Sequence, residues 1–155
     1  MDREMLNRIK NKKGVSLIEL LIVISIIAVM GGIAAPSFFS YQRTLRLRSA
    51  SRQLASDIRF ARQLAISKNT SHRLCFNGTT SQYDIYQNNA CNGTKVKTVD
   101  LAQAYTGVTR TGGAALTFNP VGAVTPADTE FTLTQTDISI PKKVTVTGAG
   151  NVKIQ

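Results

Sequence analysis

The apolar and charged positions at the start of the chain separate into two blocks. Residues 15–35 read VSLIELLIVISIIAVMGGIAA, in which Glu19 is the single charged residue, and no further charge occurs before Arg43. About 20 apolar residues are enough for a helix to cross the hydrocarbon core of a bilayer. The pattern therefore predicts a transmembrane helix over residues 15–36.

A second, amphipathic pattern follows over residues 37–70. Its apolar residues recur at intervals of three and four, which places them in one arc of a helix. They are Leu47, Ala50, Leu54, Ile58, Ala61 and Ala65, and the arginines Arg48, Arg52, Arg59 and Arg62 fall roughly opposite. The residues KNT at 68–70 end the pattern. We predict one long helix with a kink at Pro36, because proline removes a helical hydrogen bond and clashes with the preceding turn.

From residue 71 to residue 155 the apolar period changes to two. The segments HRLCF and QYDIYQ flank NGTTS, a pattern typical of a hairpin with Asn-Gly at its turn. Further alternating segments follow, namely KVKTV, ALTF, EFTLTQ, KKVTVT and NVKIQ. The apolar face of such strands needs a cover, and the helix face centred on Leu54 is available. We therefore predict an α+β fold in which the helix packs on an antiparallel β-sheet.

The net charge of +10 is concentrated in two places. Residues 1–14 carry +3 and residues 43–73 carry +7, whereas residues 74–155 carry +1, and Glu19 supplies the remaining −1. Basic residues beside an apolar segment favour the cytoplasmic side of a membrane. We therefore expect a single-pass chain with a cytoplasmic N-terminus and an exported C-terminal domain.

The two cysteines, Cys75 and Cys91, fit an exported domain. Outside the reducing cytoplasm such a pair usually forms a disulfide, which we predict here. The alternative is a pair of unrelated buried thiols, since free cysteine is often part of a core.

Candidate catalytic residues are scarce. His72 is the single histidine, which excludes a site with several histidine ligands, and a lone histidine at a helix–strand junction is usually structural. The carboxylates of the predicted strands are scattered, and Gly112-Gly113 indicates a turn rather than a phosphate-binding loop. We expect no enzyme activity, no metal site and no cofactor.

Two interpretations of the N-terminus compete. A secretory signal peptide would be cut on the far side of the membrane, near GGIAAPS. The alternative is a cut on the cytoplasmic side, between Gly14 and Val15, which leaves the apolar helix in the mature chain. The amphipathic helix that continues beyond Pro36, and the acid Glu19 inside the apolar segment, favour the second interpretation.

The segment KKGVSLIELLIVISIIAVMGGIAAP resembles the class III leader of type IV pilins and type II secretion pseudopilins. The resemblance implies that a prepilin peptidase cleaves the leader, residues 1–14, after Gly14 and methylates the new amine of Val15, where the family usually has phenylalanine. Glu19 matches the family's acid five residues after the cut, and Pro36 matches its helix-kinking proline. Downstream, ASRQLASDIRFARQLAISKN and LTFNPVGAV are similar to the GspH/FimT group of minor pilins.

The resemblance implies a minor pilin or pseudopilin, a structural subunit that joins and helps prime a type IV pilus or a type II secretion pseudopilus. Its partners would be other major and minor pilins or pseudopilins, the prepilin peptidase and the bacterial inner membrane. The C-terminal domain would be periplasmic until assembly carries it into the filament. Glu19 would act in assembly, by pairing with the Val15 amine of a neighbouring subunit.

The alternative function is a DNA-binding minor pilin that acts in DNA uptake. Lys142, Lys143 and Lys153 are the candidate contacts, together with the basic segment 43–73. DNA-binding members of the group carry a GRxR motif near the C-terminus, whereas the matching residues here are GNVK, with Asn151 at the first arginine and Lys153 at the second. One lysine offers far less bidentate recognition than two arginines, so we expect weak nucleic-acid binding.

Overall fold

This computed structural model describes residues 14–78 and 81–155, without the side chains of residues 34–36. The predicted leader therefore lies outside the described residues except for Gly14. The chain divides into two compact units, with the boundary between Phe39 and Ser40. Each unit is described below by itself.

The longest element is helix α1, Leu17–Ser67, which runs through both units. In the first unit, every residue from Gly14 to Ile33 is exposed to solvent in the isolated chain. No single helix of the described residues meets the length and hydropathy required to span a membrane, whereas the segments Leu17–Ile33 and Ser37–Ser67 meet them as a pair. The membrane span over residues 15–36 and the kink at Pro36 stay predictions.

The second unit contains nine strands in two antiparallel sheets. The first sheet has the order β3-β2-β1-β5-β6 and the second the order β4-β7-β8-β9. The strands are β1 His72–Phe76, β2 Gln82–Gln87, β3 Lys95–Asp100, β4 Val108–Thr111, β5 Leu116–Phe118, β6 Val124–Thr125, β7 Thr129–Gln135, β8 Lys142–Val146 and β9 Val152–Ile154. A short helix, α2 Leu101–Ala104, follows β3, and the Asp100 side chain caps its first turn.

The predicted α+β fold is confirmed, with two differences. The strands form two sheets rather than one, and β4, β6 and α2 were not predicted from the sequence. Strand β6 has two residues and α2 has four, too few for a period of two or 3.6 to emerge. The hairpin β1–β2 is present, with Phe76 opposite Tyr83 and Gly78 at a positive φ in the turn.

One hydrophobic core joins the helix to both sheets. The six apolar residues of the predicted arc, Leu47 to Ala65, are all buried. They pack in one cluster with Leu74, Ile85, Leu116 and Phe118 of the first sheet and with Phe131, Leu133, Val144 and Val146 of the second. Gly113 permits this closure, because a Cβ at this residue would overlap the ring of Phe131 and its φ is positive.

A buried carboxylate on the helix also contacts the first sheet. Asp57 lies within the apolar arc and is 2% exposed. Its Oδ2 accepts hydrogen bonds from Tyr83 Oη at 2.6 Å and from Gln53 Nε2 at 3.0 Å, and its Oδ1 lies 2.6 Å from Lys97 Nζ. Burial, and secondly the bond to Asp57, raise the pKa of Tyr83 far above its usual value, so that its hydroxyl remains a donor. The spacing of Asp57 from Leu54 and Ile58 places it on the apolar face, which is the signal in the sequence that points to a buried acid.

A second buried carboxylate lies in the first sheet. Asp84 is fully buried and accepts hydrogen bonds from Thr98, Asn77 and Tyr86, and Lys95 Nζ lies 3.1 Å from its Oδ2. Burial by itself would raise the pKa of Asp84, but the bonds from Thr98, Lys95 and Asn77 outweigh it and lower the pKa below the usual value. A disulfide joins the neighbouring Cys75 of β1 to Cys91 in the loop after β2, with 5.9 Å between the Cα atoms.

We expect Asp57→Ala to lower the free energy of unfolding of the second unit by about 2–3 kcal/mol, because it leaves the buried Tyr83 hydroxyl without an acceptor. Urea unfolding of residues 40–155, followed by tyrosine fluorescence, measures this change. Tyr83→Phe in the Asp57→Ala background should then cost less than in the wild type. Equal costs in the two backgrounds would contradict the coupling.

We expect Asp84 to stabilise the domain except in acid. Its folded-state pKa lies below the usual 3.8, so this stabilisation is fully present above about pH 3.8 and is lost as the pH falls through the folded-state value. Asp84→Asn should therefore cost about 2 kcal/mol at pH 7 and distinctly less at pH 2, measured by urea unfolding at both pH values. The exposed Asp128→Asn is the matched control and should follow the wild type at both. A cost of Asp84→Asn that does not depend on pH would contradict this account.

Candidate functional site

The beginning of α1 places an acid in an apolar and uncovered environment. Glu19 lies in the first turn of the helix, where a carboxylate interacts favourably with the helix dipole. Within the described residues it has no hydrogen-bond or ion-pair partner. Val15 precedes it by four residues and is 71% exposed, and Leu17 is 81% exposed. The residues that the structure describes therefore offer neither a cover for these side chains nor a counter-charge for Glu19.

The polar side chain in the middle of this segment is satisfied internally. Ser25 Oγ donates a hydrogen bond to the carbonyl of Leu21 at 2.7 Å, one turn earlier. A helix with its backbone and hydroxyl bonds satisfied within itself can be transferred to a lipid or protein environment at low cost. Glu19 is thus the one described side chain between Gly14 and Ile33 that carries a charge without a partner.

Several arginines of the second half of α1 bind groups of the domain itself. Arg43 forms an ion pair with Asp137 at 2.6 Å. Arg59 and Arg62 donate hydrogen bonds to the carbonyls of Val152 and Gly122. These side chains therefore link the helix to the Asp137 carboxylate and to two backbone carbonyls of the domain. The basic face predicted for Arg48, Arg52, Arg59 and Arg62 is thus not one uniform surface.

The remaining cations of this face line a groove beside the second sheet. Arg48, Ser51 and Arg52 of α1 form one side of it, and Lys142 and Ile154 form the other, around a volume of about 330 Å³. We call this set of five residues the basic groove. Strand β9 brings Ile154 opposite Val144 of β8, beside Lys142.

The three lysines proposed as nucleic-acid contacts do not share one surface. Side chains alternate along a strand, so Lys142 lies on the helix side of β8 and Lys143 on the opposite side. Lys143 forms an ion pair with Glu130 of β7 at 2.8 Å. Lys153 lies opposite Thr145 and therefore on the same face as Lys143. The structure thus separates Lys142 from Lys143 and Lys153.

The single histidine is part of the core. His72 is fully buried at the start of β1, and its Nδ1 lies 2.9 Å from the carbonyl oxygen of Thr70. Because a carbonyl can only accept, the Nδ1 carries the proton that it donates. This environment supports the structural role expected for His72. In the described part of the chain, no group of three or more His, Cys, Asp or Glu side chains could hold a metal ion.

One cation–aromatic contact had no signal in the sequence. The guanidinium carbon of Arg110 lies 3.8 Å above the ring centroid of Phe76, and burial lowers the pKa of Arg110 below its usual value. Phe76 also packs on Phe131 with 5.1 Å between the ring centroids. The contact covers the junction of the two sheets and stabilises the domain.

The comparisons with known proteins cover both units. Residues 9–35 match the prokaryotic N-terminal methylation motif, and residues 50–150 match the family of the type II transport protein GspH. The type II secretion system protein H of Xanthomonas campestris is 39% identical over 61 residues, which are 39% of this chain and 36% of that protein. The matched region therefore spans about a third of this curated relative.

Solved structures show the same fold at low identity. The type IV minor pilin FimU of Pseudomonas aeruginosa superposes with a TM-score of 0.60 at 16% identity, covering 74% of this chain and 92% of that one. The minor pseudopilin EpsH from the type 2 secretion system of Vibrio cholerae superposes with a TM-score of 0.58 at 13% identity, covering 71% and 96%. The chain has a type IV pilin-like fold and belongs to the GspH family, a family of pilin-like structural subunits and not of enzymes.

Proposed function

We propose that this chain is a minor pseudopilin or minor pilin that is held in the bacterial inner membrane and then joins, and helps prime, a type II secretion pseudopilus or a type IV pilus. The observation that carries the proposal is the first unit of the structure. Its apolar helix is exposed up to Ile33, and it contains one acid, Glu19, four residues after Val15, that has no partner among the described residues. Such a segment needs an apolar environment and a counter-charge from another molecule.

The first step is processing of the leader. We propose that a prepilin peptidase cleaves after Gly14 and methylates the amine of Val15. Gly14 lies outside the helix, and a Cβ built on it meets no other atom within 4 Å. The backbone at the cut is therefore accessible to a protease. The five basic residues of the leader would keep this end on the cytoplasmic side and the domain from Ser40 onward on the periplasmic side.

The second step is assembly through Glu19. Close to the headgroups an unpaired carboxylate is tolerated, because water and lipid polar groups are within reach. Between packed apolar helices that water is lost, and the carboxylate then requires a cation. The Val15 amine of a neighbouring subunit is a suitable one, since it would need the same neutralisation. The pair would fix the axial register between the two helices.

DNA uptake is the weaker alternative. The separation of Lys142 from Lys143 and Lys153, and the ion pair of Lys143 with Glu130, leave no continuous cationic strip in this region of the described chain. Binding of DNA depends on several phosphate contacts along the duplex. We therefore propose pilin-like subunits, rather than nucleic acid, as the main partners.

We expect Gly14→Val to block processing, because the peptidase must accommodate the residue before the cut and a branched side chain would obstruct it. The variant should remain at full length on an immunoblot, while the wild type runs as a chain shorter by 14 residues. Lys12→Gln is the matched control in the leader and should still be processed. A normally shortened Gly14→Val chain would place the cut elsewhere.

We expect Glu19→Ala to insert into the membrane and to be processed, because it removes a polar group from an apolar helix and leaves the leader intact. It should fail to enter the filament, since the neighbouring Val15 amine would lose its counter-charge. Glu19→Asp should be intermediate, because its side chain is one methylene shorter. Cross-linking to partner subunits, together with membrane fractionation of the same cells, measures both properties. Normal assembly of a processed Glu19→Ala chain would show that the charge pair is not required.

A further inference from the structure

The basic groove gathers cations that the domain itself leaves unpaired. Arg43, Arg59 and Arg62 are bound within the domain, whereas Arg48, Arg52 and Lys142 form no ion pair with any residue between Ser40 and Gln155 that the structure describes. All three nevertheless line the same concavity of about 330 Å³. Unpaired cations are common on a protein surface, but they are usually spread apart.

This arrangement is unfavourable without an anion. Arg48 and Arg52 are four residues apart on α1, a spacing at which like charges repel and destabilise a helix. Lys142 adds a third positive charge from the opposite side, and a concave site concentrates the electrostatic potential of its walls. An anion seated between the three side chains would remove this repulsion.

The chemistry of the groove favours a carboxylate from a protein. An arginine guanidinium matches the two oxygens of a carboxylate, and the partly exposed Ile154 offers an apolar surface for the methylenes of an aspartate or glutamate. The cationic surface is also short, because Arg43, earlier on α1, is neutralised by Asp137, and Lys143, on the opposite face of β8, is neutralised by Glu130. A long polyanion would therefore find few further contacts.

The carboxylate must come from a different kind of chain. Of the acids from Ser40 to Gln155, five already accept bonds within the domain, namely Asp57, Asp84, Asp100, Glu130 and Asp137. Asp128 is the only other acid in this range. The folded domain of a second copy, from Ser40 onward, would thus offer only Asp128 as an acid without a partner among its described residues.

We propose that the basic groove binds an acidic side chain of a neighbouring, different pilin-like subunit, and that this contact positions the periplasmic domain in the assembly. The inference rests on the proposed function and deepens it by naming the surface and the chemistry of the partner. It assigns to the domain a second register contact, separate from the Glu19 contact of the apolar helix.

The first experiment reverses the charge of the groove in the full-length chain. Arg48→Glu/Arg52→Glu, and separately Lys142→Glu, are expressed in the native cells, and the pilin-like subunits that co-purify from detergent-solubilised membranes are quantified. We expect a loss of about tenfold or more for the double variant, with normal processing and membrane localisation. Lys68→Glu/Lys153→Glu is the matched control, because it makes the same charge change at exposed residues outside the groove. Equal losses in control and groove variants would overturn the proposal.

The second experiment identifies what occupies the groove. A photoreactive amino acid in place of Ile154 should cross-link to an Asp- or Glu-containing segment of a pilin-like subunit. Replacing the acid found there by lysine should then restore co-purification with Arg48→Glu/Arg52→Glu. Cross-links mainly to lipid, to nucleic acid or to a second copy of this chain would overturn the proposal.

The two proposals fail in different ways. If the wild-type chain captures pilin-like subunits and the groove variants capture them equally well, the groove is not a subunit contact and the proposed function stands. If the wild-type chain captures no pilin-like subunit at all, the proposed function is wrong and the groove proposal falls with it.

Discussion

Burial of one arc of α1 is the interaction on which the folded domain depends. The side chains from Leu47 to Ala65 are the common surface on which both sheets close, and strand residues such as Phe118 and Phe131 reach the same cluster. Neither sheet has another helix of more than four residues to cover its apolar face within the described chain. The arc therefore fixes where the strands can lie. Its polar member Asp57 then fixes the helix against Tyr83 and Lys97.

The first half of the same helix has the composition of a segment that avoids water. Residues 15–33 are not covered by any other part of the chain that the structure describes, and their composition suits lipid or other apolar helices rather than water. A soluble domain would hide such a segment, whereas a filament subunit needs it exposed until assembly. The methylation motif matches residues 9–35, which include the apolar half of the helix. The GspH family matches residues 50–150, which belong to the folded domain.

The elements that depend on local pattern could be predicted from the sequence. The apolar arc has the helical period, and apolar and polar residues alternate clearly in β1, β2, β7 and β8. These patterns were enough to predict the helix, the hairpin and the α+β class. The division into two sheets could not be predicted, because it depends on distant pairings such as His72 with Phe118 and on closures such as Gly113 over Phe131. Charge was the least predictable property. The sequence shows that the segment is basic. Only the three-dimensional contacts distinguish Arg62, which donates a hydrogen bond to a backbone carbonyl, from Arg52, which has no ion-pair partner among the described residues.

Two sites of unpaired charge among the described residues, Glu19 and the basic groove, lie in different physical environments. Glu19 lies in an apolar segment, where a partner charge would be poorly screened and where leaving it unpaired is costly, so a pair formed there acts as a strict condition for assembly. The basic groove is open to water, where the attraction is weaker, falls with ionic strength and mainly speeds and orients association. A contact of the second kind is suited to selecting and aligning a neighbour before the helices pack. A contact of the first kind is suited to holding the neighbour once water has been excluded. The two proposed contacts would therefore not duplicate each other, because the different dielectric environments would give each a different part in the same assembly.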